Sequence, residues 1–96
     1  MTGKVNVMIV DEHDMVRMGL KTYLMLEPTC NVMGEAGNGQ DALNQLRKLD
    51  PSEMPDLILM DLMMPVMNGA EATQAIMSEF PGSKIVMLTS FLEDDL

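Results

Sequence analysis

Leu57-Ile58-Leu59-Met60-Asp61 is an apolar run closed by an acid, and Leu62-Met63-Met64-Pro65-Val66-Met67-Asn68-Gly69 follows it. A short, continuous apolar run reads as a strand covered on both faces, the pattern of a parallel sheet. Past Pro65, Asn68 is placed to cap a helix over residues 69–80, in which Ala72, Ala75, Ile76 and Phe80 recur at burial spacing before Pro81-Gly82 breaks it.

The same unit repeats on either side. Val5-Asn6-Val7-Met8-Ile9-Val10 is apolar apart from Asn6 and ends at Asp11-Glu12; residues 14–26 then place Val16, Leu20, Tyr23 and Leu24 at helical spacing before Glu27-Pro28. Residues 31–35 read as a shorter strand, 36–39 as a turn, and 40–49 as a helix with Ala42, Leu43, Leu46 and Leu49 on one side. Asp50-Pro51 and Pro55 bound the loop before Leu57. Residues 84–88 form a fourth strand that runs into Thr89-Ser90, and 92–96 open another helix whose acids suit its positive end. Strands separated by helices are parallel with right-handed crossovers, so the fold class is α/β, a doubly wound parallel sheet.

Composition narrows the function. Fifteen acidic against six basic residues give a net charge of −9, which opposes direct binding to nucleic acid or to an anionic membrane surface. No apolar run approaches the roughly 20 residues of a membrane span, and the opening Met-Thr-Gly-Lys lacks the apolar stretch of a signal peptide, so a cytoplasmic location is expected. Cys30 is the single cysteine, which leaves neither a disulfide nor a cysteine cluster for zinc. Thirteen methionines against three aromatics are read as core residues in place of Leu, Ile and Val, the alternative being an adaptable interaction face.

The chemistry sits at the strand ends. In an open α/β sheet, ligands bind at the carboxyl edge, and Asp11, Glu12, Asp61 and Thr89 all fall there. Carboxylates brought together in a partly desolvated site repel one another unless a cation lies among them, and an oxygen-only donor set favours a hard ion such as Mg²⁺. A hydroxyl at Thr89 suits a phosphoryl oxygen. Plainer readings stand beside these: Asp11 and Glu12 as a solvated loop capping the first helix, Thr89 as an ordinary strand end, His13 as a surface neighbour whose pKa nearby carboxylates raise, and Lys21, Arg47 and Lys48 as solvated helix faces.

Val7-Met8-Ile9-Val10-Asp11-Glu12-His13, Leu59-Met60-Asp61-Leu62-Met63-Met64-Pro65-Val66-Met67-Asn68-Gly69 and Val86-Met87-Leu88-Thr89-Ser90 together resemble the receiver domain of two-component response regulators. Met15-Val16-Arg17-Met18-Gly19-Leu20 and Leu88-Thr89-Ser90-Phe91 look most like regulators with a LuxR-type helix-turn-helix output domain. The resemblance implies a flavodoxin-like sheet of order 2-1-3-4, and a sensor histidine kinase as phosphodonor and partner. It implies Asp61 as phosphoacceptor, Mg²⁺ held by Asp11, Glu12, Asp61 and the main-chain carbonyl of Met63, and Thr89 as the switch hydroxyl. Glu12 stands where a second Asp is common, and Asn68 where Asp is common.

The family pattern continues through a fourth helix, a fifth strand ending in a lysine that pairs with the phosphoryl group, and a fifth helix. Residues 1–96 therefore read as an incomplete receiver domain without an output domain, and Lys84 lies at the wrong end of the sheet to replace that lysine. Two expectations follow: phosphorylation slowed or lost, and a homo-oligomer that pairs through the open edge at residues 85–88. Beside phosphotransfer stand a receiver-shaped interaction fragment that is not phosphorylated and acts by dimerisation or kinase binding, and a phosphohydrolase. The latter wants an acid two residues after its nucleophile, where this chain has Met63.

Overall fold

The computed structural model describes residues 4–88. Strands β1 (Val5–Val10), β2 (Cys30–Ala36), β3 (Leu57–Asp61) and β4 (Ile85–Leu88) alternate with helices α1 (Asp14–Met25), α2 (Gly39–Arg47) and α3 (Gly69–Glu79), and a 3-10 turn at Pro51–Glu53 precedes β3. All described strand pairs are parallel, in the order β2-β1-β3-β4. This is the doubly wound, flavodoxin-like order expected from the sequence. The element ends move by a residue or two. β2 is longer than expected because it pairs with β1 along its whole length, absorbing Met33 as an extra residue where the register shifts between Val7/Val32 and Met8/Gly34.

Side-chain amides start the second and third helices. The Asn38 side chain accepts a hydrogen bond from the Asp41 N–H at 2.8 Å. At α3 the Asn68 side chain accepts from the Glu71 N–H at 2.8 Å while the Glu71 carboxylate accepts from the Asn68 N–H at 3.0 Å. Each such cap contributes roughly 1 kcal/mol.

Among the described residues, the two faces of the sheet are covered unequally. Successive strand side chains point to opposite faces. Met8, Val10, Ile58 and Met60 meet Ala42, Leu43 and Leu46 of α2 and Ala72 and Ile76 of α3 in one core. On the α1 side Val7 and Ile9 are buried, whereas Leu57 and Leu59 are only half-buried. Helix α1 has no fully buried residue: Leu20 and Leu24 are half-buried, and Val16 and Tyr23, which share their helical spacing, are exposed. Helical spacing tells which side chains share a face, and not whether anything lies against that face.

The methionines correct the sequence reading in the same direction. Met8, Met60 and Met64 are core residues and Met33, Met54 and Met67 pack against the core. Met15, Met18, Met25, Met63, Met77 and Met87 are exposed. Lys21 and Arg47 are not simply solvated, since each forms an ion pair, with Glu35 and Glu79. The helix expected over residues 92–96 lies outside the described residues. No described helix is long and apolar enough to cross a membrane.

Candidate functional site

β1 and β3 are neighbours in register, with Val10 opposite Met60, so the residues that follow, Asp11 and Asp61, end side by side at the carboxyl edge. Both are buried, with 4% and 6% of their surface exposed. A carboxylate closing a buried strand leaves solvent because the strand does, and polar contacts at the strand end compensate part of the cost. Oδ1 of Asp11 accepts from the His13 N–H at 2.8 Å and lies 3.0 Å from His13 Nδ1. Oδ1 of Asp61 accepts a long bond, 3.4 Å, from the Met63 N–H.

One ligand atom from each of Asp11, His13 and Asp61 lies within 4.8 Å of the others. Two ionised carboxylates so close and so poorly solvated repel each other, and a hard divalent cation relieves that repulsion with the oxygen donors it prefers. The carboxylate pair of Asp11 and Asp61, apart from the His13 nitrogen, therefore fits Mg²⁺. His13 carries a pKa raised above its ordinary 6.5, chiefly by its hydrogen bond to Asp11 and further by the charges of Asp11, Glu12 and Asp61, with desolvation acting against them.

The main chain at each strand end is held from a different face. On the α3 side, the Gly69 N–H donates to the Leu62 carbonyl at 2.9 Å. A Cβ at Gly69 would overlap the Asp61 carbonyl oxygen and come within 2.8 Å of Leu62 Cα, so only glycine lets α3 begin this close to the strand end. The connecting loop turns sharply at Val66, whose φ of 68° is unusual for a β-branched residue, while the Met67 N–H donates to the Pro65 carbonyl at 2.7 Å. On the α1 side, the Arg17 guanidinium donates to the Asp11 carbonyl at 2.5 Å.

Of the residues expected from the sequence, Asp11 and Asp61 come together, and the Met63 main chain touches Asp61. Glu12 is exposed and is not a member of that group; His13 takes the third place. Asp11 is therefore no solvated loop residue. Thr89 lies outside the described residues. Sequence reasoning assigned no role to Arg17 or Gly69. Each was legible only as part of a quoted motif, Gly69 in the stretch after Asp61 and Arg17 in residues 15–20.

The family model for the response regulator receiver domain matches residues 7–96. The response regulator protein VraR of Staphylococcus epidermidis is 47% identical over 90 residues, 94% of this chain and 41% of that protein. The chain thus spans about two fifths of the curated relatives it matches. Among solved structures, the signal receiver domain of NarL from Mycobacterium tuberculosis superposes with a TM-score of 0.80 at 32% identity, covering 92% of this chain and 68% of that one. A LuxR-family response regulator from Aurantimonas sp. gives 0.80 at 30% identity, covering 91% and 59%.

Proposed function

Since the chain belongs to the response regulator receiver family of two-component signalling, we propose that it accepts a phosphoryl group on Asp61 in a Mg²⁺-dependent reaction, with a sensor histidine kinase as donor. The observation that carries this reading is the pair of buried carboxylates, Asp11 and Asp61, whose ligand atoms converge from neighbouring strands. Asp11 and Asp61 would hold Mg²⁺ directly, with Glu12 and the Met63 carbonyl completing the protein's share. Bound there, the ion neutralises the negative charge that builds up as a phosphoryl group approaches two carboxylates.

The chain's own part is positioning. A carboxylate oxygen of Asp61 attacks the phosphorus of a phosphohistidine; a phosphorus–oxygen bond forms as the phosphorus–nitrogen bond breaks, and the imidazole leaves with the electron pair. The product is an acyl phosphate with no change of oxidation state. Because phosphoryl transfer needs alignment and charge neutralisation more than covalent help, a nucleophile fixed at a strand end suffices. Thr89, next in sequence after Leu88, supplies the hydroxyl to the transferred group in this reading.

Intact mass after incubation with acetyl phosphate and Mg²⁺ tests the proposal. One added phosphoryl group is expected, lost in Asp61→Asn and lost with EDTA. An adduct that survives Asp61→Asn would contradict it. A second reading, an interaction fragment that pairs with another copy, is favoured by β4, which has a single described strand neighbour and exposes Val86 and Met87. Sedimentation showing a concentration-independent monomer would remove it.

A further inference from the structure

The Arg17 guanidinium, with its side chain only 17% exposed, binds three parts of the chain through three different nitrogens. Nη1 donates to the Asp11 main-chain carbonyl at 2.5 Å, Nε to Glu35 Oε1 at 2.9 Å, and Nη2 to the Asp14 carboxylate. Glu35 is itself a fixed anchor: its main chain pairs with Ile9 of β1, its carbonyl accepts from the Gln45 side chain at 2.9 Å, and its other carboxylate oxygen accepts from Lys21 at 2.6 Å. Arg17 therefore runs from the end of β2 to the peptide that carries the Asp11 carboxylate. A planar fork of donors does this and a point charge does not.

The rest of the loop is held by bonds that do not involve this side chain. The Asp11 N–H donates to the Ala36 carbonyl at 3.0 Å, and the Arg17 N–H donates to the His13 carbonyl at 3.0 Å. Neither engages the carbonyl of the Asp11–Glu12 peptide, which accepts from Arg17. That peptide plane lies in the main chain between Asp11 and the His13 N–H, the donor to the Asp11 carboxylate, so holding it helps to keep that donor in place.

We propose that Arg17 is a positioning residue for the acidic site, fixing the Asp11 carbonyl so that the Asp11 carboxylate stays aimed at Asp61 before any cation arrives. This rests on the reading that the carboxylate pair takes a divalent cation, and it adds a residue that touches neither cation nor phosphoryl group. Partners of this outer kind typically alter metal affinity about 10- to 100-fold.

The full chain is compared as Arg17→Ala, Arg17→Lys, Glu35→Gln and Lys21→Ala, with two readouts: amide hydrogen exchange at His13 in metal-free protein, and Mn²⁺ affinity by titration well below each melting temperature. Arg17→Ala is expected to speed His13 exchange and weaken Mn²⁺ binding about tenfold or more. Arg17→Lys keeps the charge without the fork and is expected to weaken it similarly. Lys21→Ala removes a charge from the same glutamate without touching the loop and is expected to bind as the parent does. Should Arg17→Ala fail to fold, Glu35→Gln carries the test, with a smaller loss in the same direction. Parent-like affinity and parent-like His13 exchange in the Arg17 variants, with only a lower melting temperature, would overturn the proposal and leave Arg17 a structural residue. If the parent chain binds no Mn²⁺, the cation reading fails, and His13 exchange alone then decides for or against Arg17.

Discussion

Among the described residues, one face of the sheet is closed and the other is half open, and the candidate site takes one carboxylate from the care of each. Under α2 and α3, Ala42, Leu46, Ala72 and Ile76 are fully enclosed against Met60 and Val10. Under α1, Val7 and Ile9 are covered, but Leu57 and Leu59 are only half-buried and the helix exposes Val16 and Tyr23. Apolar burial is the main favourable term in folding, so cohesion is concentrated on the α2/α3 face. The main chain just after Asp61 is tied to that face by the bond from the Gly69 N–H to the Leu62 carbonyl, whereas Asp11 is tied to the looser face by Arg17. The polar cluster of Arg17, Glu35, Asp14 and Lys21 does for α1 part of what packing does for α3.

Large substitutions in the closed core test this contrast most severely. Ile76→Ala is expected to cost about 2–5 kcal/mol in urea denaturation. Tyr23→Ala on α1 should stay within about 0.5 kcal/mol, and a cost comparable to that of Ile76→Ala would break the comparison. Gly69→Ala should cost about 1–3 kcal/mol, because the added Cβ meets main-chain atoms that have no room to yield. It should also lower the yield of phosphorylated Asp61 at temperatures where the variant remains folded.

Val66→Gly is expected to act in the opposite direction. A β-branched residue at a φ of 68° is strained, and its relief should raise stability by about 1 kcal/mol, less the entropy that glycine adds to the unfolded chain. The denaturation midpoint reads this directly, and a decrease of about 1 kcal/mol or more, the full entropic cost of glycine, would show that the Val66 turn is not strained.

The smallest effect is the pH dependence of the α1 side. Lys21 first, and Arg17 next, hold Glu35 below the ordinary glutamate value of 4.5. A carboxylate whose folded pKa is depressed contributes stability that is present above its unfolded value and is lost as pH falls through the folded one. Stability of the parent should therefore drop more than that of Glu35→Gln as pH is lowered below 4.5. Since Glu35 is about a third exposed, solvent screening keeps the difference small. Equal slopes for the two proteins would remove the polar cluster from the account of α1.

Much of this arrangement was legible in the residues. Alternating apolar runs and helical spacings gave a parallel α/β sheet, the resemblance to receiver domains gave its strand order, and an acid directly after residues 5–10 and after 57–60 located the carboxyl edge. Asn68 could be read as a cap because its partner Glu71 is three residues away, within the reach of local rules. What could not be read depends on contacts distant in sequence. Arg17 and Glu35 are 18 residues apart, and only the placement of β2 beside β1 brings them together. The exposure of Val16 and Tyr23 on α1 was not legible for the converse reason, since an amphipathic pattern is local but the surface it needs is not. Methionine was equally ambiguous, because the same flexible side chain fills the core at Met60 and faces solvent at Met18.

Paramagnetic broadening of amide resonances by Mn²⁺, used in place of Mg²⁺, tests most directly that the two strand ends form one cation site. Broadening centred on residues 11–13 and 61–63 together, and lost from both segments when either Asp11→Asn or Asp61→Asn is introduced, is the expected result. Broadening spread over the other acidic surfaces, or confined to one segment and indifferent to the acid in the other, would contradict it.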